Sequence, residues 1–474
     1  MVQIDEASIY ELRSAMDSGS LTCSSLVSYY LDKIAVLNST LRAVIEVNPD
    51  VLTLASTADT ERSTLTVVPL MHGIPDNIAT KDKMQTTAGS WILLNSIVPR
   101  DAFLVSKLRE SGAIILGKTN LSEWCNWRIG PNSGLFQGWS GRGGQTINPF
   151  GGPVGGSSSG SAVAATVNMA AVTLGSETDG SIIYPASLNG VVGMKPTVGL
   201  VSRSGVIPVS HSQDCVGPIG RTVSDVAAVL DAIVGSDPRD IVTRNANNHL
   251  PLSSFVGCLL ELKSLQNFRI GIDRRFVDQY CLNAASILGG LGATVISIEF
   301  PNVHANQPYE IELLNHEFKH SINLYLAELL NCQVGSLEDI IFETKGNPLE
   351  NMYPTVRLEE AQATLGLNHP KYQNAAQHQK VMADSIKSLF YRHKLDAIIG
   401  ISVELSTPAA IAGLPVITVP APSPGIFLPQ AVGFIAPQYG DAKLLQIAFV
   451  YERCTKGRKK LLKARQRLNL GGIL

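Results

Sequence analysis

The sequence predicts an α/β fold, one large domain with a mixed central β-sheet surrounded by helices, on three observations. Short apolar runs alternate with segments of helical periodicity along most of the chain. The composition is 45% hydrophobic and only 16% charged, ample material for a large core and far from a disordered profile. No internal repeat is visible. At 474 residues the length alone would suit two or three domains, but large α/β enzymes run this long as one unit.

The elements follow in order. Residues 5–37 read as two amphipathic helices: Ser8 and Glu11 have capping-box spacing for the first, and Thr22 or Ser24 starts the second. VVPLMHGIP reads as a strand, DAFLVSKLRESG as a helix and AIILGKTN as the next strand. Asn132 to Ser161 is rich in Gly, Ser, Asn and Pro, and a loop this long inside a compact domain is more often functional than idle. Ala162–Leu174 reads as a buried small-residue helix. FRIGID, a helix over Cys281–Leu291, the strand ATVISIEF and helices between Ile311 and Leu330 continue the pattern. LDAIIGI and PVITVPA are buried strands, and DAKLLQIAFVYERC is a closing helix.

Composition narrows the function. The formal charge of -2 gives no global basic field for nucleic acid or an acidic membrane. The seven cysteines are scattered, odd in number and free of CxxC pairs, which disfavours a disulfide scaffold or a cysteine zinc site. The N-terminal stretch MVQIDEASIY lacks the pattern of a secretory signal, and Ala162–Gly175 is too short to span a bilayer. A cytoplasmic protein without nucleic-acid or membrane partners is the expectation; the oligomeric state stays open.

Two serine-rich turns carry the chemistry: Gly155-Gly156-Ser157-Ser158-Ser159-Gly160-Ser161 and Glu177-Thr178-Asp179-Gly180-Ser181. A serine hydroxyl is a weak nucleophile that needs a base and a cradle for the developing oxyanion. Neighbouring glycines let backbone N–H groups converge on one point. Glycine-rich loops are also commonly plain turns.

The pattern is more specific than its composition. GGSSSGSA, TLGSETDGSI, PAS, NGVVGMKPTVGLVSRSGVIP and QDCVGPIGRTVSD together resemble the amidase-signature family, nearest its peptide-amidase-like and fungal branches. The likeness takes in the first two helices, GKTNLSEW and GWSGRGGQTINP, thins after about residue 240, and returns at AAIAGLPVITVPA. It implies a single amidase-signature domain over 1–474, with N-terminal helices at 5–60, a signature core at 61–240 and a less similar remainder at 241–474. By this resemblance Ser181 matches the acyl-forming nucleophile, and Ser157 the bridging serine of a Ser–Ser–Lys triad, near a non-proline cis peptide. The backbone N–H groups of Thr178, Asp179, Gly180 and Ser181 match the oxyanion hole. The implied reaction hydrolyses a small-molecule or peptide carboxamide to an acid plus ammonia or amine through an acyl-enzyme, with no metal and no cofactor.

One departure matters. The family's run resembles Gly-[Ile/Val]-Pro, three apolar residues, then Lys-Asp, whereas Gly73-Ile74-Pro75 passes directly into Asp76-Asn77. Four residues are missing, the general-base lysine among them. Lys81 and Lys83 lie just downstream but match the family's following segment, and Lys118 in GKTN matches a structural position. The segments FRIGIDRRFVDQYCLN and LDAIIGI to AAIAG also look short. Two readings stand side by side: an inactive homologue that binds a ligand or partner through the same cleft, and a gene model with mis-called splice sites.

Three rival motifs remain. His316-Glu317-Phe318-Lys319-His320 matches HExxH, a zinc-hydrolase helix, but no third ligand follows beyond Glu338, a bare candidate. Gly156-x-Ser158-x-Gly160 formally matches a nucleophile elbow, without the strand that should precede it. Lys456 to Arg467 carries seven basic residues and reads as a solvated helical tail in preference to a nucleic-acid or targeting segment.

Overall fold

The structure is a computed structural model, and it describes residues 3–62, 71–129, 134–261, 264–275, 277–423, 425 and 428–467. Local capping starts the chain as the sequence predicts. Ser8 and Glu11 close a capping box on the helix Ile9–Asp17, and Thr22 with Ser25 does so for Cys23–Leu41. Both helices pack on the rim of the sheet through Leu12, Met16, Leu26 and Tyr30.

Among the described residues the centre is one mixed sheet of eleven strands. In chain order these are β1 (Val44–Val47), β2 (Met71–Pro75), β3 (Ile114–Thr119), β4 (Val172–Glu177), β5 (Val192–Lys195), β6 (Cys215–Gly220), β7 (Arg269–Ile272), β8 (Thr294–Ser297), β9 (Ala397–Ile401), β10 (Val416–Ala421) and β11 (Gln430–Ile435). Their spatial order is β1-β3-β2-β4-β6-β5-β10-β11-β9-β7-β8. β3-β2-β4 and β9-β7-β8 are parallel groups, and antiparallel pairings join them across the middle. β3, β6 and β10 are buried along their whole length, as strands covered by helices on both faces must be.

The structure corrects two elements. The expected helix over Ala162–Leu174 is the shorter helix Ser159–Thr166; Asn168, at φ 58°, then turns the chain into β4. Small residues suit either state, and the β-branched Val172 and Thr173 are claimed by the sheet. The segment around Ile311–Leu330 is one continuous helix, Gln307–Glu328. Strands β5, β6 and β11 carry glycines, and β6 also Pro218, which dilutes their strand signal. The part of VVPLMHGIP before Met71 lies outside the described residues.

β9 passes straight into the helix Ser402–Ala412 with Ile401 as its cap, so the shortened stretch after LDAIIGI contains no loop. None of the seven cysteines forms a disulfide among the described residues. Among the described residues no helix is long and apolar enough to cross a membrane. The basic tail is a helix, Gly457–Arg467, but it is not wholly solvated: Arg458 is buried and pairs with Glu6.

Candidate active site

The two serine turns meet at the ends of neighbouring elements. Ser157 precedes the helix Ser159–Thr166, and Ser181 follows β4. Gly160 makes that helix's approach possible, because a Cβ there would lie 2.3 Å from the Ala43 carbonyl and 2.5 Å from the Asn120 backbone. The amide of Ser158 donates to the carbonyl of Ser181 at 3.0 Å. The Ser158 hydroxyl donates to the Ser176 carbonyl and accepts from the Ser176 amide, both at 3.1 Å. That hydroxyl is a clasp between the turns, which removes the nucleophile-elbow reading. The Gly156–Ser157 peptide is cis.

Ser181 is 5% exposed and sits on a turn held from below. The Glu177 carboxylate accepts from the amides of Ile182 at 2.6 Å and Ile183 at 2.9 Å. Burial pushes this carboxyl up to about 7, against the pull of Lys195 and those two amides. Gly180, at φ +77°, bends the chain so that Ser181 follows a left-handed residue. Asp179 accepts from the Thr407 hydroxyl at 2.9 Å, and burial raises its carboxyl. Among the described residues the amides of Asp179, Gly180 and Ser181 donate to no acceptor. Three uncommitted N–H groups beside a hydroxyl are the raw material of an oxyanion cradle.

Further polar residues line this end of the sheet. Thr178 donates to Asp214 at 2.6 Å, and Gln213 links the Thr178 carbonyl to Glu310, with Gln379 donating to Gln213 at 2.7 Å. Burial, with Asp179 adding to it, pushes Glu310 up to about 8. Glu177 and Asp214 lie inside motifs visible in the sequence. Glu310 and Gln379 come from distant helices and carry no sequence signal.

The surroundings of Ser157 differ from what a serine relay needs. Its hydroxyl is buried, 1% exposed, and has no hydrogen-bond partner among the described residues. It opens on a narrow cavity, large enough for about one water, lined also by Asn77, Cys125, Ser176, Glu177, Asp214 and Arg203. Neither a lysine nor a histidine is among the lining residues. Asn77 donates to Ser176 at 2.9 Å and Cys125 at 3.3 Å, while its carbonyl oxygen has no partner.

Strand register explains why the nearby lysines stay away. β2 runs parallel to β3 with Ile74 opposite Lys118 and Pro75 opposite Thr119. Successive side chains alternate between faces. Thr119 meets Ser161 at 2.6 Å on the face of the serine turns, whereas Lys118 points to the other face, donating to the Ile78 carbonyl and to Thr86 at 3.0 Å. Burial pulls Lys118 down to about 8. Lys83 is surface-exposed and paired with Asp50 at 2.6 Å, and Lys81 is exposed. Lys195 is buried and donates to the Pro196 carbonyl. The residue directly before Asp76, on the Thr119 face, is Pro75.

The HExxH match does not build a metal centre. His316 uses Nδ1 on the Gly366 carbonyl at 2.9 Å and Nε2 on Glu312 at 3.2 Å. Glu317 is buried, accepting from Ser210, from Ser212 at 2.8 Å and from Tyr372 at 3.0 Å, while His320 is exposed. Among the described residues no cluster of three or more His, Cys, Asp or Glu could hold a metal ion. The i, i+4 spacing is present, but His316 and Glu317 are hydrogen-bonded to protein groups and His320 faces solvent.

Comparison with known proteins places this geometry in context. The Amidase family model matches residues 25–403. The protein named Probable amidase from Arabidopsis thaliana is 42% identical over 482 residues, covering 96% of this chain and 91% of that protein. The native peptide amidase of Stenotrophomonas maltophilia is similar in structure, with a TM-score of 0.88 at 38% identity over 97% of this chain and 99% of the other. A peptide amidase solved with the competitive inhibitor chymostatin matches with a TM-score of 0.87 at 38% identity, over 96% of this chain and 98% of the other.

Proposed function

Because this chain belongs to the amidase-signature family, we propose that it hydrolyses a carboxamide through Ser181, with Ser157 as the relay behind it. The observation that carries this reading is the Ser181 turn itself. It combines a hydroxyl on a residue 5% exposed, three uncommitted amides beside it, and a direct backbone bond to the turn that bears Ser157. Ser181 Oγ attacks the amide carbonyl carbon, its proton passes to Ser157 Oγ, and Ser157 hands its own proton to the amide nitrogen that leaves. The amides of Asp179, Gly180 and Ser181, with that of Thr178 at their edge, hold the oxyanion. Collapse expels ammonia or an amine and leaves an ester on Ser181, which water cleaves.

Among the described residues no lysine or histidine lines the cavity behind Ser157. A positioned base is worth roughly 10²–10⁴ in rate, so this chain works as a slow amidase. A second reading follows from that same cavity: the cleft retains amide ligands without turning them over. Chymostatin, which inhibits a peptide amidase, is the natural competitor for either reading.

A fluorophosphonate probe separates the two. A covalent adduct on Ser181, lost in Ser181→Ala and slowed by chymostatin, supports the amidase. A folded protein that binds chymostatin yet forms no adduct supports the binding protein.

A further inference from the structure

We propose that Glu177 is the proton acceptor behind Ser157, reached through a single water held between Ser157, Asn77 and Glu177. This inference rests on Ser157 being the relay to Ser181.

Three buried polar atoms carry it. Ser157 Oγ, Asn77 Oδ1 and Glu177 Oε1 have no hydrogen-bond partner among the described residues, and their residues are at most 1% exposed. All three residues line the same narrow cavity, which has room for about one water. Buried polar atoms call for partners. The unmet needs are one hydroxyl with a proton to give and two oxygens that accept. One water meets all three: its lone pair takes the Ser157 proton, and its two O–H groups donate to Asn77 Oδ1 and Glu177 Oε1.

The other polar groups of the wall are spent. Asp214 accepts from Thr178 and from the amides of Val209 and Ser210. The Arg203 guanidinium is committed to Asp240 and to the His211 carbonyl. Cys125 accepts from Asn77 at 3.3 Å, and burial pushes its thiol up to about 12. Glu177 is anchored through one oxygen only: Oε2 takes the amides of Ile182 and Ile183, which leaves Oε1 uncommitted.

The charges around Glu177 suit a relay near neutral pH. Burial lifts its carboxyl to about 7, Asp179 on the same turn adds to the rise, and Lys195 on β5 pulls against it. Cys215, opposite Glu177 on β6, is pushed by burial up to about 12 and stays neutral in this range. Across the cavity, burial raises Asp214 to about 6.

The protons balance. With a fluorophosphonate, Ser181 Oγ forms the O–P bond and fluoride leaves. The Ser181 proton moves to Ser157 Oγ, the Ser157 proton to the water, and one water proton to the Glu177 carboxylate, which ends as a neutral carboxyl. With an amide, that carboxyl returns the proton through the same water as Ser157 protonates the departing nitrogen, and the carboxylate is restored.

The test is the pH profile of Ser181 labelling by a fluorophosphonate in the full chain, expressed per folded molecule. The proposal predicts a rate that rises through about pH 7 and then levels. Glu177→Gln keeps an oxygen for the Ile182 and Ile183 amides, so the turn stays held while the acceptor is lost. Its rate above the inflection should fall roughly tenfold or more, and the rise should vanish. Ser157→Ala should do the same, and the double variant should be no slower than either single one. Lys195→Met leaves Glu177 and both serines in place and removes the cation that pulls Glu177 down, so it should move the inflection to higher pH. It serves where Glu177→Gln does not fold. A folded Glu177→Gln protein with the wild-type profile, or slowed equally at every pH with the rise intact, overturns Glu177 as the acceptor. So does an inflection that Lys195→Met leaves unmoved, or a double variant slower than both single ones. Each of these leaves the relay standing while Ser157→Ala is slow. Labelling unaffected by Ser157→Ala, or absent from the folded wild type, overturns the relay as well.

Discussion

The amide of Ser158 donates to the carbonyl of Ser181 at 3.0 Å, so the turn after Ser157 and the turn bearing Ser181 are one hydrogen-bonded unit. The Ser158 hydroxyl adds a second tie through Ser176. Ser158→Ala keeps the first tie and removes the second. Losing a buried hydrogen-bonded hydroxyl and stranding its backbone partners costs about 1–3 kcal/mol. The expected result is a lower denaturation midpoint together with slower Ser181 labelling. A stable variant with an unchanged labelling rate would mean the clasp is incidental.

Glu177 gives the site a pH signature. Its folded value is about 7 against an ordinary 4.5. A carboxyl raised on folding favours the folded state below its unfolded value, and that contribution is lost as the pH climbs through the folded one. From about pH 4.5 to 7 the loss is on the order of 3 kcal/mol for this group. Denaturant unfolding across that window should show stability falling more steeply with pH in the wild type than in Glu177→Gln. Parallel curves would show that Glu177 is not raised.

The Arg128 network anchors the segment next to the serine turns, since the Ser122 amide beside Glu123 donates to the Ser157 carbonyl at 2.9 Å. Arg128 is fully buried between Glu123 and Glu350, and its second nitrogen donates to the carbonyls of Glu350 and Tyr353. Glu350 also accepts from the Ser90 hydroxyl at 2.7 Å and from the Trp91 amide. Burial and the neighbouring Glu350 hold the Glu123 carboxyl well above the usual range. Glu123→Gln, which imitates a protonated carboxyl, should therefore cost little. Glu350→Ala strands Arg128 and should cost about 3–5 kcal/mol. Equal losses in urea unfolding would contradict this asymmetry.

Lys118 tests the assignment of faces. Lys118→Met removes the donor to Ile78 and Thr86 and should destabilise by about 1–3 kcal/mol. The labelling rate per folded molecule should not change, because the ammonium lies across the sheet from the serines. Abolished labelling in a folded Lys118→Met protein would make this lysine the base.

Much of this was legible in the chain and some was not, for physical reasons. The capping spacings at Ser8 and Thr22 and the apolar runs of β3, β9 and β10 are local signals, and the structure follows them. The Ser157 and Ser181 turns could be read as a pair because both are dense in glycine and serine. Glycine-bearing strands such as β6 could not, since their order comes from neighbours in the sheet. Glu310 and Gln379 reach the site only through tertiary packing. The shortened run at Pro75 was visible as a gap, but its consequence depends on register. β2 keeps Asp76 and Asn77 at its end, which places Pro75 where the family pattern has lysine, and the cavity beside Asn77 is left without a lysine.

That register supplies the most direct test. Pro75 shares the face of Thr119, on the side of the serine turns, and lies two residues before Asn77 in the cavity wall. The single substitution Pro75→Lys should therefore bring a lysine to Ser157, as should a four-residue insert ending in lysine before Asp76. The decisive measurement is the fluorophosphonate labelling rate of Ser181 in Pro75→Lys relative to wild type, followed by intact mass. The account predicts a rise of roughly 10²-fold or more that Ser157→Ala abolishes. An unchanged rate in a folded Pro75→Lys protein, or an adduct elsewhere than Ser181, would contradict it.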